Sequence, residues 1–235
     1  AEINRVRDVV SEPLPGEIRL QWWRDVLTSG GDTDAVGHPV AGELVKVMKT
    51  HALPKDAFDK ILLARASDLY DDPISTWTDF EGYAGETGSL IVLLAALICG
   101  ANHDRALADA CGHAGIAIRL SDLMRSFARD AAKGKVFWPE EELARHGADR
   151  SKIIRGETHG GLDNALKAVV AKARDHAAKA HAAVSHLPQG TKAAFLPLAL
   201  VEAYAAKFEM MAADPFKRPP TLSQLRVQWL LWRAR

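Results

Sequence analysis

The sequence has few cysteines, no excess charge of either sign and no long apolar run. Its 2 cysteines, Cys99 and Cys111, form no CxxC pair and have no histidine at a spacing that would indicate a metal knuckle. We therefore interpret both as buried free thiols. The 30 basic and 30 acidic side chains cancel, so the overall charge does not favour nucleic acid as a partner.

Several functional motifs are also absent. The longest apolar run, 90–99, has about ten residues, half of what a membrane-spanning helix needs, so we predict no transmembrane segment. There is no HExxH sequence, no P-loop and no Ser-His-Asp order, which leaves zinc-protease, NTPase and hydrolase chemistry without residues. Because the chain begins at Ala1 rather than at methionine, we expect N-terminal sequence to be missing.

Hydrophobic residues recur with a period of about 3.6 along almost every segment, and no run of β-branched residues alternates. The sequence therefore predicts an all-α fold. The predicted helices are 1–10, 17–28, 41–50, 55–69, 81–99, 105–132, 140–146, 161–185, 191–213 and 221–233. No linker is long or low in complexity, which favours one domain over residues 1–235.

The predicted helix 105–132 carries charged residues at a spacing typical of metal sites. Residues four apart stack on one helix face, so Asp122, Ser126 and Asp130 form a column. At about 1.5 Å of rise per residue, the two aspartates lie roughly 12 Å apart, too far to share an ion across a serine. Arg129 adds a positive charge that repels a metal. A solvated face of an amphipathic helix is the alternative interpretation.

The stretch 120–139 resembles the second aspartate-rich motif of the squalene and phytoene synthases, N-I-L-R-D-x-x-E-D-x-x-x-G-R-x-Y-L-P. Five residues fit that motif: Arg125, Asp130, Gly134, Lys135 and Pro139. Ser126 and Arg129 occupy two positions that are acidic in the family. The segment therefore resembles a metal-binding helix in which two of the acidic residues have been replaced.

The N-terminus resembles the first aspartate-rich motif of the same family, D-D-x-x-D. Asn4 and Arg5 occupy its first two acidic positions, and Asp8 occupies the third. Both motifs keep the last aspartate and have an arginine in place of an acid. Four further segments extend the resemblance over nearly the whole chain: 17–25, 38–40, 83–89 and 137–143.

The resemblance implies an isoprenoid-synthase-type helical bundle around a central cavity. Helices bearing the two motifs would border that cavity, and three residues of segment 83–89 would line it: Tyr83, Gly85 and Thr87. The likeness is greatest to a divergent branch that includes a mitochondrial assembly factor for respiratory complex I and related bacterial proteins, partly through segment 219–226. Members of that branch are thought to act without prenyl transfer.

Three functions follow as alternatives. The resemblance favours a non-catalytic binding or assembly role, with a respiratory complex as protein partner and no cofactor. The second is an active prenyltransferase that condenses two farnesyl or geranylgeranyl diphosphates. It would need Mg²⁺, for which Asp8, Asp122 and Asp130 offer a weak site. The third is a module that binds a prenyl lipid or a diphosphate.

The arginines of the two motifs allow two arrangements. Arg5, Arg125 and Arg129 could hold a diphosphate directly as bidentate donors. Alternatively, they could pair with the aspartates that remain and close the site with buried salt bridges, and we predict closure. In that case Arg5 and Arg129 would fill the cavity.

The predicted C-terminal helix combines aromatic and basic residues: Arg226, Trp229, Trp232, Arg233 and Arg235. Such a helix can rest on a membrane surface, but we predict instead that its tryptophans pack into the bundle. We expect the protein in a bacterial cytoplasm or in a compartment like the mitochondrial matrix, with peripheral membrane contact left open.

Overall fold

The computed structural model describes residues 2–29, 38–70 and 72–235. These residues form helices and contain no strand, which confirms the all-α prediction. They fall into two compact units, Ala1–Asp72 and Pro73–Arg235, and each is described by itself. A single domain, and a cavity bordered by helices of both units, stay predictions.

The first unit contains four helices: α1 (Glu2–Val9), α2 (Pro13–Ser29), α3 (Pro39–Thr50) and α4 (Lys55–Ser67). Helix α2 begins four residues before the predicted start, because prolines fit a first helical turn, where backbone N–H groups need no intrahelical partner. Helices α2 and α4 pack together, and an ion pair between Arg24 and Asp59 joins them.

The second unit contains α5 (Trp77–Ala84), a π-helical segment (Gly85–Ser89), α6 (Leu90–Ile98), α7 (Arg105–Ala132), α8 (Glu140–Arg145), α9 (Arg150–Ile154), α10 (Gly160–Ser185), a 3₁₀ helix (Gln189–Leu200), α11 (Val201–Met210) and α12 (Gln224–Arg233). Helix α7 is the central element and packs against α10, α11, α6 and the π segment. Its observed bounds equal the predicted ones.

Three differences between the predicted and the observed helices have a local cause. Thr76 and Asp79 form a capping box, so the helix predicted from residue 81 begins at Trp77. Asp149 caps α9, which was not predicted. The helix predicted over 191–213 divides into the 3₁₀ helix and α11 because Pro197, which lacks an N–H group, lies inside it.

The π segment contacts α7 at backbone distance. A Cβ atom on Gly115 would lie 2.2 Å from the Ser89 nitrogen, and one on Gly88 would lie 2.6 Å from the Gly115 carbonyl oxygen. The Ser89 hydroxyl also donates to the Gly112 carbonyl, at 3.0 Å. Two glycines therefore allow a close crossing that larger residues would prevent.

One helix among the described residues is long and apolar enough to cross a membrane by length and composition. It is the continuous 22-residue stretch Trp77–Ile98, with a mean hydropathy of 1.3 in its best window. Phe80, Ala84 and Ala96 on it are fully buried in the second unit. Core helices of soluble proteins pass the same test, so this one helix is weak evidence against the predicted absence of a span.

Both cysteines are free thiols, as predicted. Cys111 is buried in α7, and burial raises the pKa of its thiol to about 12. Cys99 was also predicted to be buried, but it follows the last turn of α6 and is half-buried.

Candidate functional site

The first motif lies on α1. Val6 is the residue of this helix that packs into the first unit, while Asn4, Arg5 and Asp8 are exposed. The Arg5 guanidinium lies 4.0 Å from the Glu2 carboxylate, one turn earlier in the same helix. Within the first unit Arg5 therefore forms a surface pair on α1, and closure of a cavity together with second-unit residues stays a prediction.

The second motif lies on α7, and its predicted column divides by burial. Ser126 and Asp130 are buried, whereas Asp122 is exposed. Each four-residue step advances a helix by about 40°, so Asp122 and Asp130 point roughly 80° apart. The Ser126 hydroxyl lies 3.5 Å from the Leu123 carbonyl of its own helix.

The arginines of the second motif stay at the surface. Arg125 donates to the Asp122 carboxylate at 3.1 Å, and its guanidinium lies 4.7 Å from the Tyr204 ring centroid. Arg129 is exposed, with its Nε atom 4.0 Å from Asp130 Oδ1. Each of these arginines lies beside an aspartate, Arg125 beside Asp122 and Arg129 beside Asp130. Within the second unit both arginines are exposed and do not form a buried network.

Helix α7 also contains a buried arginine, Arg119, that was not predicted as a site residue. Arg119 is buried and donates a hydrogen bond to the Tyr83 hydroxyl. Its guanidinium also lies 5.1 Å from the centroid of that ring, and the Tyr83 ring stacks on Phe137 at 6.3 Å. Arg119 precedes Ser126 by seven residues and Asp130 by eleven, a spacing that places all three on one helix stripe. That spacing was the available signal.

Three residues were predicted to line the cavity, and the structure gives each a different setting. The Thr87 hydroxyl is buried and donates to the Tyr83 carbonyl at 2.7 Å. Tyr83 is half-buried beside Arg119. No atom lies within 4 Å of the position that a Cβ would take on Gly85, so there is free space beside the backbone there.

Two residues of the second motif, Gly134 and Pro139, are required by the path of the chain. Gly134 ends α7 with φ +77°, a left-handed conformation that favours glycine, and Lys135 donates to the Asp130 carbonyl at 2.9 Å. Pro139 then precedes α8. Between them the chain places the Trp138 ring on Phe127, with 4.5 Å between ring centroids.

The acidic segment after the motif fixes α8 to the start of α5. Glu142 is buried and accepts hydrogen bonds from Trp77 Nε1 at 2.7 Å and from Arg145 at 2.6 Å, and its other oxygen lies 2.9 Å from His146 Nε2. Burial opposes ionisation of this carboxyl, but the hydrogen bonds from Trp77 and His146 and the charge of Arg145 outweigh it and lower the pKa of Glu142.

We expect Glu142→Gln to lower the free energy of unfolding at neutral pH by about 1.5–3 kcal/mol, because the hydrogen bonds lost are charged ones. Since the folded carboxyl has the lower pKa, its contribution is complete above the ordinary value of about 4.3 and is lost as pH falls through the folded pKa. The difference between variant and wild type should therefore shrink in acid. Urea unfolding across that pH range measures it. Glu140→Gln, an exposed change in the same helical turn, is the control; equal losses in both variants would contradict the expectation.

The described residues contain no group of three or more His, Cys, Asp or Glu side chains placed to hold a metal ion. In the second unit Asp122 is neutralised by Arg125, and Ser126 stands between the two aspartates. These residues do not by themselves fit a magnesium cluster. The set Asp8, Asp122 and Asp130 draws on both units and stays a prediction.

Two helices that each carry an altered aspartate-rich motif, α1 in the first unit and α7 in the second, indicate a class of protein. The chain belongs to the squalene/phytoene synthase family, whose model matches residues 1–233. This confirms the family that the motifs suggested.

Among its relatives is the rat (Rattus norvegicus) protein named NADH dehydrogenase (ubiquinone) complex I, assembly factor 6. The two are 26% identical over 238 residues, which cover 100% of this chain and 71% of that protein. Among solved structures, a squalene synthase from Alicyclobacillus acidocaldarius matches with a TM-score of 0.75 at 19% identity, covering 91% of this chain and 82% of that one. A dehydrosqualene synthase matches with a TM-score of 0.74 at 13% identity, covering 99% and 82%. The structural likenesses show the isoprenoid-synthase fold.

Proposed function

We propose that this chain is a non-catalytic member of its family and acts as a binding protein in the assembly of respiratory complex I. The observation that carries the proposal is the likeness to an assembly factor over the whole chain. The protein would then work where complex I is assembled, with a component of that complex as its partner.

The geometry of α7 supports the non-catalytic part of the proposal. The chemistry of the family requires carboxylates that hold magnesium against a diphosphate while charge develops. Here Ser126 and Arg129 replace two acids, and Asp122 is paired with Arg125. Losing a single group that stabilises developing charge costs about 2.7–4 kcal/mol of barrier, so several losses end useful turnover.

A groove in the first unit favours prenyl-lipid or diphosphate binding as a second candidate. It has a volume of about 580 Å³ and its walls include Arg5, Trp22, Trp23 and His38. The rings of His38 and Trp23 lie 5.2 Å apart. Glu2, the partner of Arg5, also lines the groove, but Arg19 adds a second cation there. Cations beside an aromatic wall suit an apolar chain with an anionic head.

Two measurements test the proposal together. In a strain that lacks the gene, we expect assembled complex I on native gels to fall, and the wild-type gene to restore it. The purified protein, incubated with Mg²⁺ and farnesyl or geranylgeranyl diphosphate, should release no pyrophosphate above the level without protein, with an active squalene synthase as positive control.

Magnesium-dependent pyrophosphate release would overturn the proposal in favour of the prenyltransferase. Unchanged complex I in the deletion strain would remove the assembly role. Thermal shift with a non-hydrolysable farnesyl diphosphate analogue separates the second candidate: stabilisation by the analogue that Arg5→Gln abolishes would assign lipid binding to the groove.

A further inference from the structure

Helix α12 has two apolar faces and buries neither completely. Its inner face, Val227, Leu230 and Leu231, is half-buried, and the helix packs against the 3₁₀ helix. Its outer face carries Leu225, Trp229 and Trp232, whose exposed fractions are 79%, 51% and 70%. The prediction that these tryptophans pack into the bundle is therefore wrong.

The outer side chains form one continuous stripe. Residues 225, 229 and 232 are spaced by four and three positions, which places them on the same face of a helix. Isolated exposed apolar residues are common on protein surfaces, but a row that contains two tryptophans marks a surface that binds something. We call Leu225, Trp229 and Trp232 the outer stripe.

The C-terminal sequence that contains the outer stripe is strongly basic. Residues 215–235 contain five basic residues and no acidic one, a formal charge of +5 in a chain whose total is zero: Lys217, Arg218, Arg226, Arg233 and Arg235. The Arg233 guanidinium lies 5.3 Å from the Trp229 ring centroid, so cation and aromatic ring occupy the same edge of the helix.

The combination identifies one kind of partner. Tryptophan side chains are favoured at the boundary between water and hydrocarbon, and arginines beside them attract anionic lipid headgroups. The stripe lies on the outer side of a single helix, so it suits a flat partner. We propose that α12 is a membrane-docking helix that lies in the surface of an anionic bilayer, with the outer stripe in the lipid and the arginines at the headgroups.

This docking goes beyond the assembly role and does not depend on it. The inner face stays on the 3₁₀ helix while the outer stripe enters the lipid, so the second unit is held at the membrane without unfolding. Either property can fail while the other holds, because complex I assembly and vesicle binding are measured separately.

Flotation with vesicles tests the proposal on the full chain. Vesicles of phosphatidylcholine alone are compared with vesicles of phosphatidylcholine and phosphatidylglycerol in equal parts. We expect binding to the anionic vesicles, weak binding to the neutral ones, and a decrease in binding as salt screens the charges.

Variants separate the apolar and the charged contributions. Trp229→Ala with Trp232→Ala should lower the partition coefficient on anionic vesicles by about tenfold or more, because the main apolar contact is removed. Arg226→Gln with Arg233→Gln should remove most of the preference for anionic lipid. The matched control is Lys167→Gln with Lys179→Gln, which removes two exposed charges from α10 and should leave binding unchanged. Circular dichroism checks that every variant is folded.

Three results would overturn the proposal. The first is a wild type that does not float with anionic vesicles. The second is a tryptophan double variant that is folded and binds as the wild type does. The third is light scattering that shows self-association of the wild type, lost in the tryptophan variant, without vesicle binding; the outer stripe would then be a contact between two copies of the chain.

Discussion

Replacing Gly115 with alanine is expected to destabilise the second unit by about 3 kcal/mol, the upper end of the usual cost of overpacking. The added methyl group would lie 2.2 Å from the backbone nitrogen of Ser89 and 2.3 Å from its Cα atom. Backbone atoms in two packed helices cannot move aside as a flexible side chain can. The helices would have to separate, and the hydrogen bond from Ser89 to the Gly112 carbonyl would weaken.

Gly112→Ala is the matched control for this prediction. It lies one turn earlier on the same helix, and no atom comes within 4 Å of its added methyl group. Alanine forms helices better than glycine, so this variant should gain about 0.5–1 kcal/mol. Urea unfolding followed by circular dichroism measures both. A neutral Gly115→Ala, or equal losses in the two variants, would show that the two helices do not meet at this crossing.

The sequence predicted α7 correctly and predicted a helix over the segment that packs on it, but not the π-helical geometry of that segment, for a physical reason. Helix α7 has a capping residue, Asp104, before it, a left-handed Gly134 after it, and a regular apolar period between them. The π segment has no such signal, because its hydrogen bonds depart from the period that defines a helix in a sequence. The contact between Gly88 and Gly115 joins two helices and therefore has no local pattern.

The second motif separates what the fold requires from what the chemistry requires. Gly134, which turns the chain, and Pro139, which precedes α8, are present. Asp130 is present too, but the bond that closes the turn uses its backbone carbonyl, which any residue would supply. The positions at which carboxylates would face a metal are Ser126 and Arg129. A fold can keep its structural residues while its site changes, which is why the family could be predicted from the sequence more firmly than the activity.

The sequence did not predict which of the charged residues on α7 are buried. Asp122 and Asp130 look equivalent in the sequence, yet one is exposed and the other buried, because neighbouring helices cover only part of α7. Helix α12 shows the same limit. Its tryptophans and its aliphatic residues can both pack, but a single helix presents one face to the 3₁₀ helix, and Val227, Leu230 and Leu231 occupy that face.

The second large prediction compares a buried tryptophan, Trp138, with an exposed one, Trp229. Trp138→Ala should lower the free energy of unfolding by about 3–5 kcal/mol, as is typical when a large buried ring is removed and leaves a cavity. The Trp138 ring is 2% exposed, stacks on Phe127 at 4.5 Å and meets the Phe208 ring edge-on at 6.0 Å. Its loss would open the aromatic core that closes the second motif onto α11.

Trp229→Ala makes the same chemical change at a residue of the outer stripe. Because only about half of that side chain is covered by protein, the free energy of unfolding should fall by about 1 kcal/mol. Urea unfolding of the two variants measures the contrast directly. A loss at Trp229 comparable to that at Trp138 would mean that its ring packs against protein, and the vesicle results for that variant would then report folding. A stable Trp229→Ala protein with weakened vesicle binding would instead assign the ring to the lipid.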